Sequence, residues 1–157
     1  MPRGSGHGVP WWHESFRDRG YRLTAPRQAV MNILSKTSDH LSAEDVYFKL
    51  HRIDPSIGLT TIYRTLELLV KMGLASKFDF GDGRSRYELS DGPGGLKHHH
   101  HLVCTSCGRI IDYTDYIEDE LELLKQTEEG LSRKFNFKIT NHIIQFYGLC
   151  DKCRSKK

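Results

Sequence analysis

Four cysteines and nine histidines hold most of the chemistry open to this chain. The cysteines stand in two C-x-x-C pairs, Cys104/Cys107 and Cys150/Cys153. A two-residue gap lets both sulfurs of a pair turn inward. Two such pairs supply the four soft ligands that zinc takes at about 2.3 Å. A closed thiolate shell leaves no position for substrate, so the metal is expected to act as a staple rather than a catalytic centre. Disulfides and a redox dithiol are the other readings of this spacing. A disulfide framework needs an oxidising compartment, and the sequence carries no signal for one.

His98, His99, His100 and His101 run without a break toward Cys104. An expression tag would sit at a terminus, whereas this run opens an expected strand. Alternate strand residues face opposite ways. His99 and His101 therefore share one face, and His98 and His100 the other, which predicts two metal sites back to back. Imidazole suits iron, zinc, nickel and copper, and added carboxylates shift the preference toward iron or manganese. Glu88, Asp112 and Glu118 are the carboxylates expected nearby. His40 and His142 are isolated, and a lone histidine is more often a satisfied surface or core residue than a ligand.

Several elements must position these groups. Thr24, followed by Pro26, predicts the start of a helix with Ala29, Val30, Ile33 and Leu34 on its apolar stripe. Ser42 and Asp45 form a capping-box pattern before Val46, Tyr47 and Leu50. Thr60 or Thr61 caps a third helix carrying Ile62, Leu66, Leu69 and Val70, and Gly73 stops it. Strands around 75–80 and 85–89 flank Gly81-Asp82-Gly83, a hairpin signal. Three helices and a hairpin are the order of a winged helix, whose third helix enters the DNA major groove. Residues 90–97 read as a hinge. Beyond it come strands at about 100–104 and 109–113, a helix from about Asp115 to Glu129 ending at Gly130, and a strand over about 138–147. That last strand is apolar on both faces, with Ile144 and Phe146 on one and Ile143 and Tyr147 on the other. A second subunit is a natural cover for one of them. The fold class is therefore α+β. A winged-helix DNA-binding domain spans 1–89, with 1–12 as a flexible tail. A metal-binding dimerisation domain spans 98–157.

Length and composition agree with this division. The chain has 157 residues, and two domains of about 80 residues each have thin cores that favour metal or dimer staples. No apolar run approaches the roughly 18 residues needed to cross a membrane. The start lacks the apolar core of a secretory leader, so a cytoplasmic location is expected. Residues 1–75 carry 10 Lys and Arg against 7 Asp and Glu, while residues 76–157 carry 13 of each. The positive excess in the N-terminal half suits a nucleic-acid-facing surface, and an ordinary solvated surface equally well.

The chain resembles the ferric uptake regulator family from about Gly20 to Cys153. The matching segments are Gly-Tyr-Arg-Leu-Thr-Ala-Pro-Arg (20–27), His-Leu-Ser-Ala-Glu-Asp-Val-Tyr (40–47) and Gly-Leu-Thr-Thr-Ile-Tyr-Arg-Thr-Leu (58–66). They continue with Phe-Gly-Asp-Gly-Arg-Ser-Arg-Tyr-Glu-Leu (80–89), His-His-His-His-Leu-Val-Cys-Thr-Ser-Cys-Gly (98–108), Thr-Asn-His (140–142) and Tyr-Gly-Leu-Cys (147–150). The resemblance implies a structural zinc on the four cysteines. It implies a regulatory metal on His40, Glu88, His99, His101 and Asp112, spanning both domains. It places a further metal at His98, His100, Glu118 and His142, although many relatives have aspartate where His100 stands. DNA contacts are implied for Arg22, Arg27, Thr61, Tyr63 and Arg64.

The expected function is a metal-dependent repressor. It acts as a homodimer, or a tetramer of paired dimers, on an A·T-rich palindromic operator of double-stranded DNA, without membrane association. The regulatory metal is expected to be iron(II) or manganese(II), with zinc able to enter the site in vitro. All four cysteines are assigned, which argues against a zinc sensor. Asp112 resembles peroxide-sensing relatives, whereas Tyr-Arg-Thr-Leu-Glu-Leu-Leu and the Phe-Gly-Asp-Gly wing resemble iron-responsive members. Iron(II) is the favoured signal, peroxide sensing through iron or manganese the alternative. A metalloenzyme finds no nucleophile motif, no H-E-x-x-H and no phosphate-binding glycine loop, so no enzyme activity is expected. A passive metal store would lack specific DNA affinity.

Overall fold

The computed structural model describes residues 10–90 and 99–156. The chain divides into two compact units, Met1–Gly95 and Leu96–Lys157. Helices and strands mix in both, so the fold is α+β.

The first unit has four helices, α1 (Trp11–Asp18), α2 (Ala25–Ser35), α3 (Ala43–His51) and α4 (Leu59–Lys71). Its strands are β1 (Leu41–Ser42), β2 (Ala75–Asp79) and β3 (Ser85–Leu89). They form an antiparallel sheet in the order β1-β3-β2. The expected three-helix, hairpin order is present with α1 added in front. Trp11 and Trp12, expected in a flexible tail, begin that helix. Trp12 and Phe16, four residues apart, share one face and are buried. They join Val30, Met31 and Leu34 of α2, Val46 and Leu50 of α3, and Ile62, Leu66 and Leu69 of α4 in one core. For Trp11 and Trp12 the tail expectation gives way to helix because Trp12 and Phe16, an i, i+4 pair, find a core to join, while residues 1–9 lie outside the described residues. Burial of each such side chain contributes roughly 1.5–3 kcal/mol, and that outweighs the fraying of a terminal helix.

Local signals set the element ends. Ser42 and Asp45 form the expected capping box: the Asp45 N–H donates to Ser42 Oγ at 3.1 Å and the Ser42 N–H to Asp45 Oδ2 at 2.9 Å. Thr24 occupies the N-cap of α2 without a side-chain cap bond. Gly58, rather than Thr60 or Thr61, is the N-cap of α4, which leaves both threonine side chains on the helix surface. The Leu74 N–H returns to the Leu69 carbonyl and closes α4 at Gly73. Gly81 and Gly83, at φ +83° and +76°, make the β2–β3 turn in a region costly for residues with a Cβ.

The second unit has β4 (His100–Cys104), β5 (Ile110–Tyr113), α5 (Ile117–Phe135), β6 (Gln145–Gly148) and α6 (Asp151–Arg154). Its sheet runs β5-β4-β6, antiparallel on one side of β4 and parallel on the other. Helix α5 passes through Gly130 and ends at Asn136 in a left-handed conformation, six residues beyond the expected stop. A glycine inside a helix costs only about 1 kcal/mol, and Asn accepts the terminal conformation. The last strand is four residues long, not the expected ten. Before it, His142 bonds Glu128 of α5 at 2.9 Å, and of that stretch the Ile144 carbonyl accepts from the His101 N–H of β4 at 3.4 Å. No residue of α5 is buried in the single chain, and Leu123, Phe135, Phe137, Ile143, Phe146, Tyr147 and Leu149 are all more than half exposed.

Candidate metal centres and nucleic-acid interface

The four cysteines meet where the β4–β5 turn faces the start of α6. Cys104 ends β4, Cys107 lies in the turn, Cys150 is the N-cap of α6 and Cys153 lies within that helix. All four thiols are unpaired by disulfides, and their sulfurs lie within 4.8 Å of one another. The Cys107 and Cys150 sulfurs are 3.8 Å apart. A tetrahedron with 2.3 Å metal–sulfur bonds has an edge of about 3.8 Å, so the donor set and its spacing fit zinc. Backbone N–H groups of Cys150 and Cys107 point at the Cys104 sulfur and bring its thiol down to about 6, which favours the thiolate that a metal requires. Arg109 holds Asp151 at 2.9 Å and braces the second pair against the first.

In the second unit His99, His100 and His101 alternate as strand residues must. His101 lies opposite Asp112 on β5, with Nε2 3.7 Å from Oδ1. The His99 and His101 rings meet edge to face at 5.1 Å. The opposite face carries His100, which is buried and bonds the carboxylate of Glu120. Tyr113 joins them by donating its hydroxyl to Glu120 at 3.0 Å. Burial and that bond push the Tyr113 phenol up to about 12. His100 and His142 have ring centroids 6.0 Å apart, and Glu128 is the partner of His142. The carboxylates beside these two histidines are thus Glu120 and Glu128. Glu118, the expected one, lies exposed in the first turn of α5. The helical phase gives the reason: Ile117, Glu120, Leu121, Leu124 and Glu128 share the half-buried stripe, and Glu118 does not. His98 and the hinge at 91–97 lie outside the described residues.

In the first unit, His40 immediately precedes β1, and Glu88 lies on β3. His40 Nε2 is 2.9 Å from a Glu88 carboxylate oxygen. Phe78 and Phe80 set their edges against the His40 ring, each with centroids 5.3 Å away. These aromatic partners were missed in the sequence; their place at the turn end of the hairpin, on and just after β2, was the available signal.

The expected nucleic-acid residues are all exposed or half-exposed. Thr61, Tyr63 and Arg64 lie on the solvent side of α4, opposite the buried Ile62, Thr65, Leu66 and Leu69. Arg22 precedes α2, and Arg27 on its first turn donates to the Arg22 carbonyl at 2.6 Å. In the hairpin turn, Arg86 grips Asp82 with both guanidinium nitrogens, at 2.9 and 2.6 Å, and holds that carboxyl at about 2.

Comparison with known proteins identifies the family. A family profile described as "Ferric uptake regulator family" matches residues 18–147. The chain is 45% identical over 138 residues to the "Ferric uptake regulation protein" of Bacillus subtilis (strain 168), covering 87% of this chain and 88% of that one. Among solved structures it is similar to the Vibrio cholerae ferric uptake regulator, at TM-score 0.67 and 33% identity, covering 88% of this chain and 98% of that one. It is also similar to the ferric uptake regulator of Francisella tularensis solved with iron, at TM-score 0.69 and 26% identity, covering 87% and 96%.

Proposed function

Because this chain belongs to the ferric uptake regulator family of metal-dependent transcription regulators, we propose that it is an iron(II)-responsive repressor that binds an A·T-rich palindromic operator as a homodimer. What supports the reading is that each unit by itself brings together part of the proposed ligand set. The first unit offers His40 and Glu88, and the second offers His99, His101 and Asp112. Two or three ligands hold a divalent ion weakly, and five hold it well. An ion that takes ligands from both units binds best at one relative placement of them, and so selects it. In a dimer that placement sets the spacing of two α4 helices, which must match successive major grooves. The mixed imidazole and carboxylate set favours iron(II) or manganese(II) over softer ions. The relative from Francisella tularensis was solved with iron, in keeping with this preference.

Zinc on the four cysteines would keep β4, β5 and α6 in register and take no part in sensing. Within the DNA-binding unit, Thr61, Tyr63 and Arg64 would meet base edges or phosphates from α4, and Arg22 and Arg27 the flanking backbone. No helix among the described residues is long and apolar enough to cross a membrane. The repressor's place of action is the cytoplasm, where its operator lies. Asp112 among the ligands favours a second reading, repression released by peroxide acting on bound iron.

The test is an anaerobic binding titration at fixed salt, with the structural zinc in place, against the palindrome and a scrambled duplex. Fixed salt matters because phosphate contacts alone shift affinity by orders of magnitude. Iron(II)-dependent, sequence-specific binding that survives dilute peroxide supports the iron reading. Loss of the iron complex in peroxide, with the manganese complex spared, supports the second. Binding that ignores both metals overturns both.

A further inference from the structure

On the exposed side of α4, the Tyr63 hydroxyl donates to Glu44 in the first turn of α3 at 2.7 Å. Glu44 is assigned no role by the metal or DNA sites described above. Its carboxyl is held below the usual range, first by the Tyr63 bond and also by the attraction of Arg84 in the hairpin turn. The N-terminus of α3 favours the same negative charge. The bond to Glu44 raises the Tyr63 phenol, which therefore stays protonated. A phenol has one proton to give, so a Tyr63 that donates to Glu44 presents only lone pairs and a ring to anything else. A carboxylate on this face also repels phosphates.

We propose that Glu44 is a positioning residue for operator specificity: it accepts the Tyr63 hydrogen bond, so that Tyr63 meets the major groove as an acceptor and an apolar ring, while its charge weakens binding to every duplex alike. The proposal rests on the reading of α4 as the DNA-facing helix. An acceptor oxygen suits the exocyclic amino group of adenine or cytosine, and the ring suits the thymine methyl group. Phosphates accept and do not donate, so the oriented phenol gains nothing from the backbone that all duplexes share.

The experiment measures affinity for the palindrome and a scrambled duplex across a salt series, using metal-loaded wild type, Glu44→Ala, Glu44→Gln, Tyr63→Phe and the Glu44→Ala/Tyr63→Phe double variant. Alanine is a strong helix former and the Ser42–Asp45 cap is untouched, so the variants keep the fold. Glu44→Ala is expected to bind the scrambled duplex more tightly, with a steeper salt dependence, and to lose about tenfold in the palindrome-to-scrambled ratio. Glu44→Gln keeps an acceptor for the phenol and should hold the ratio within about threefold of wild type while still binding scrambled DNA more tightly. In the Tyr63→Phe background, Glu44→Ala should leave the ratio unchanged. A ratio insensitive to Glu44→Ala, or one that falls equally with Phe at 63, overturns the proposal and leaves the DNA-facing reading of α4 intact. A wild type without preference between the duplexes overturns both.

Discussion

Replacing Cys150 with serine should unfold the second unit and spare the first. Among the described residues of the second unit, Val103 and Cys104 are the only buried apolar side chains, and α5 buries none. Burial of a valine contributes about 1.5–3 kcal/mol, far short of what ordering this many residues costs. A structural zinc site contributes about 10–16 kcal/mol at neutral pH. A shell that kept three ligands and half of that free energy would still lose about 5–8 kcal/mol, as much as the whole stability of many small domains. Both tryptophans, Trp11 and Trp12, lie in α1, so their fluorescence reports the first unit alone. Circular dichroism and a zinc-release assay report the second. Cys150→Ser should purify without zinc and lose the second unit's unfolding transition, with the tryptophan transition shifted by less than about 4 °C. A zinc-free variant that stays dimeric and keeps both transitions would mean that core packing, not metal, holds this unit.

Three further outcomes are expected. His101→Ala should abolish metal-dependent operator binding while sedimentation still shows the intact dimer; retained regulation would remove His101 from the site. Arg64→Ala should weaken operator binding about 5- to 150-fold without changing iron(II) affinity in the absence of DNA, and equal operator affinity would mean that α4 docks differently. The Arg86 guanidinium holds the Asp82 carboxyl at about 2, below its unfolded value. The pair's contribution is therefore present above the ordinary aspartate range and is lost as pH falls through about 2. Carboxyl NMR should find that midpoint, and Arg86→Ala should return it to the ordinary range; an unchanged midpoint would assign the shift elsewhere.

Much of this architecture was legible because local and long-range signals agreed. The capping box at Ser42, the Gly81-Asp82-Gly83 turn and the alternation of the histidine run each name one conformation, and the fold adopts it. The paired C-x-x-C spacing carried the sulfur cluster in the same way, because zinc chemistry allows few alternatives. Legibility failed where tertiary context decides. Trp12 is buried in a core built largely from α2, α3 and α4, which no window around it contains. Glu118 and Glu120 differ by two positions, and only the phase of α5, traced through Ile117, Leu121 and Leu124, tells which faces His100. The stretch 138–144 has strand composition, yet His142 bonds Glu128 of α5 and the strand begins at Gln145.

A metal that draws ligands from both units, as proposed, would couple to DNA. Linkage makes that coupling measurable from the metal's side. Iron(II) affinity should be determined anaerobically with and without saturating palindromic duplex, with zinc retained on the cysteines. Operator DNA should tighten iron(II) binding by about 5- to 150-fold, and scrambled DNA far less. Iron(II) affinity unchanged by the operator would contradict the coupling.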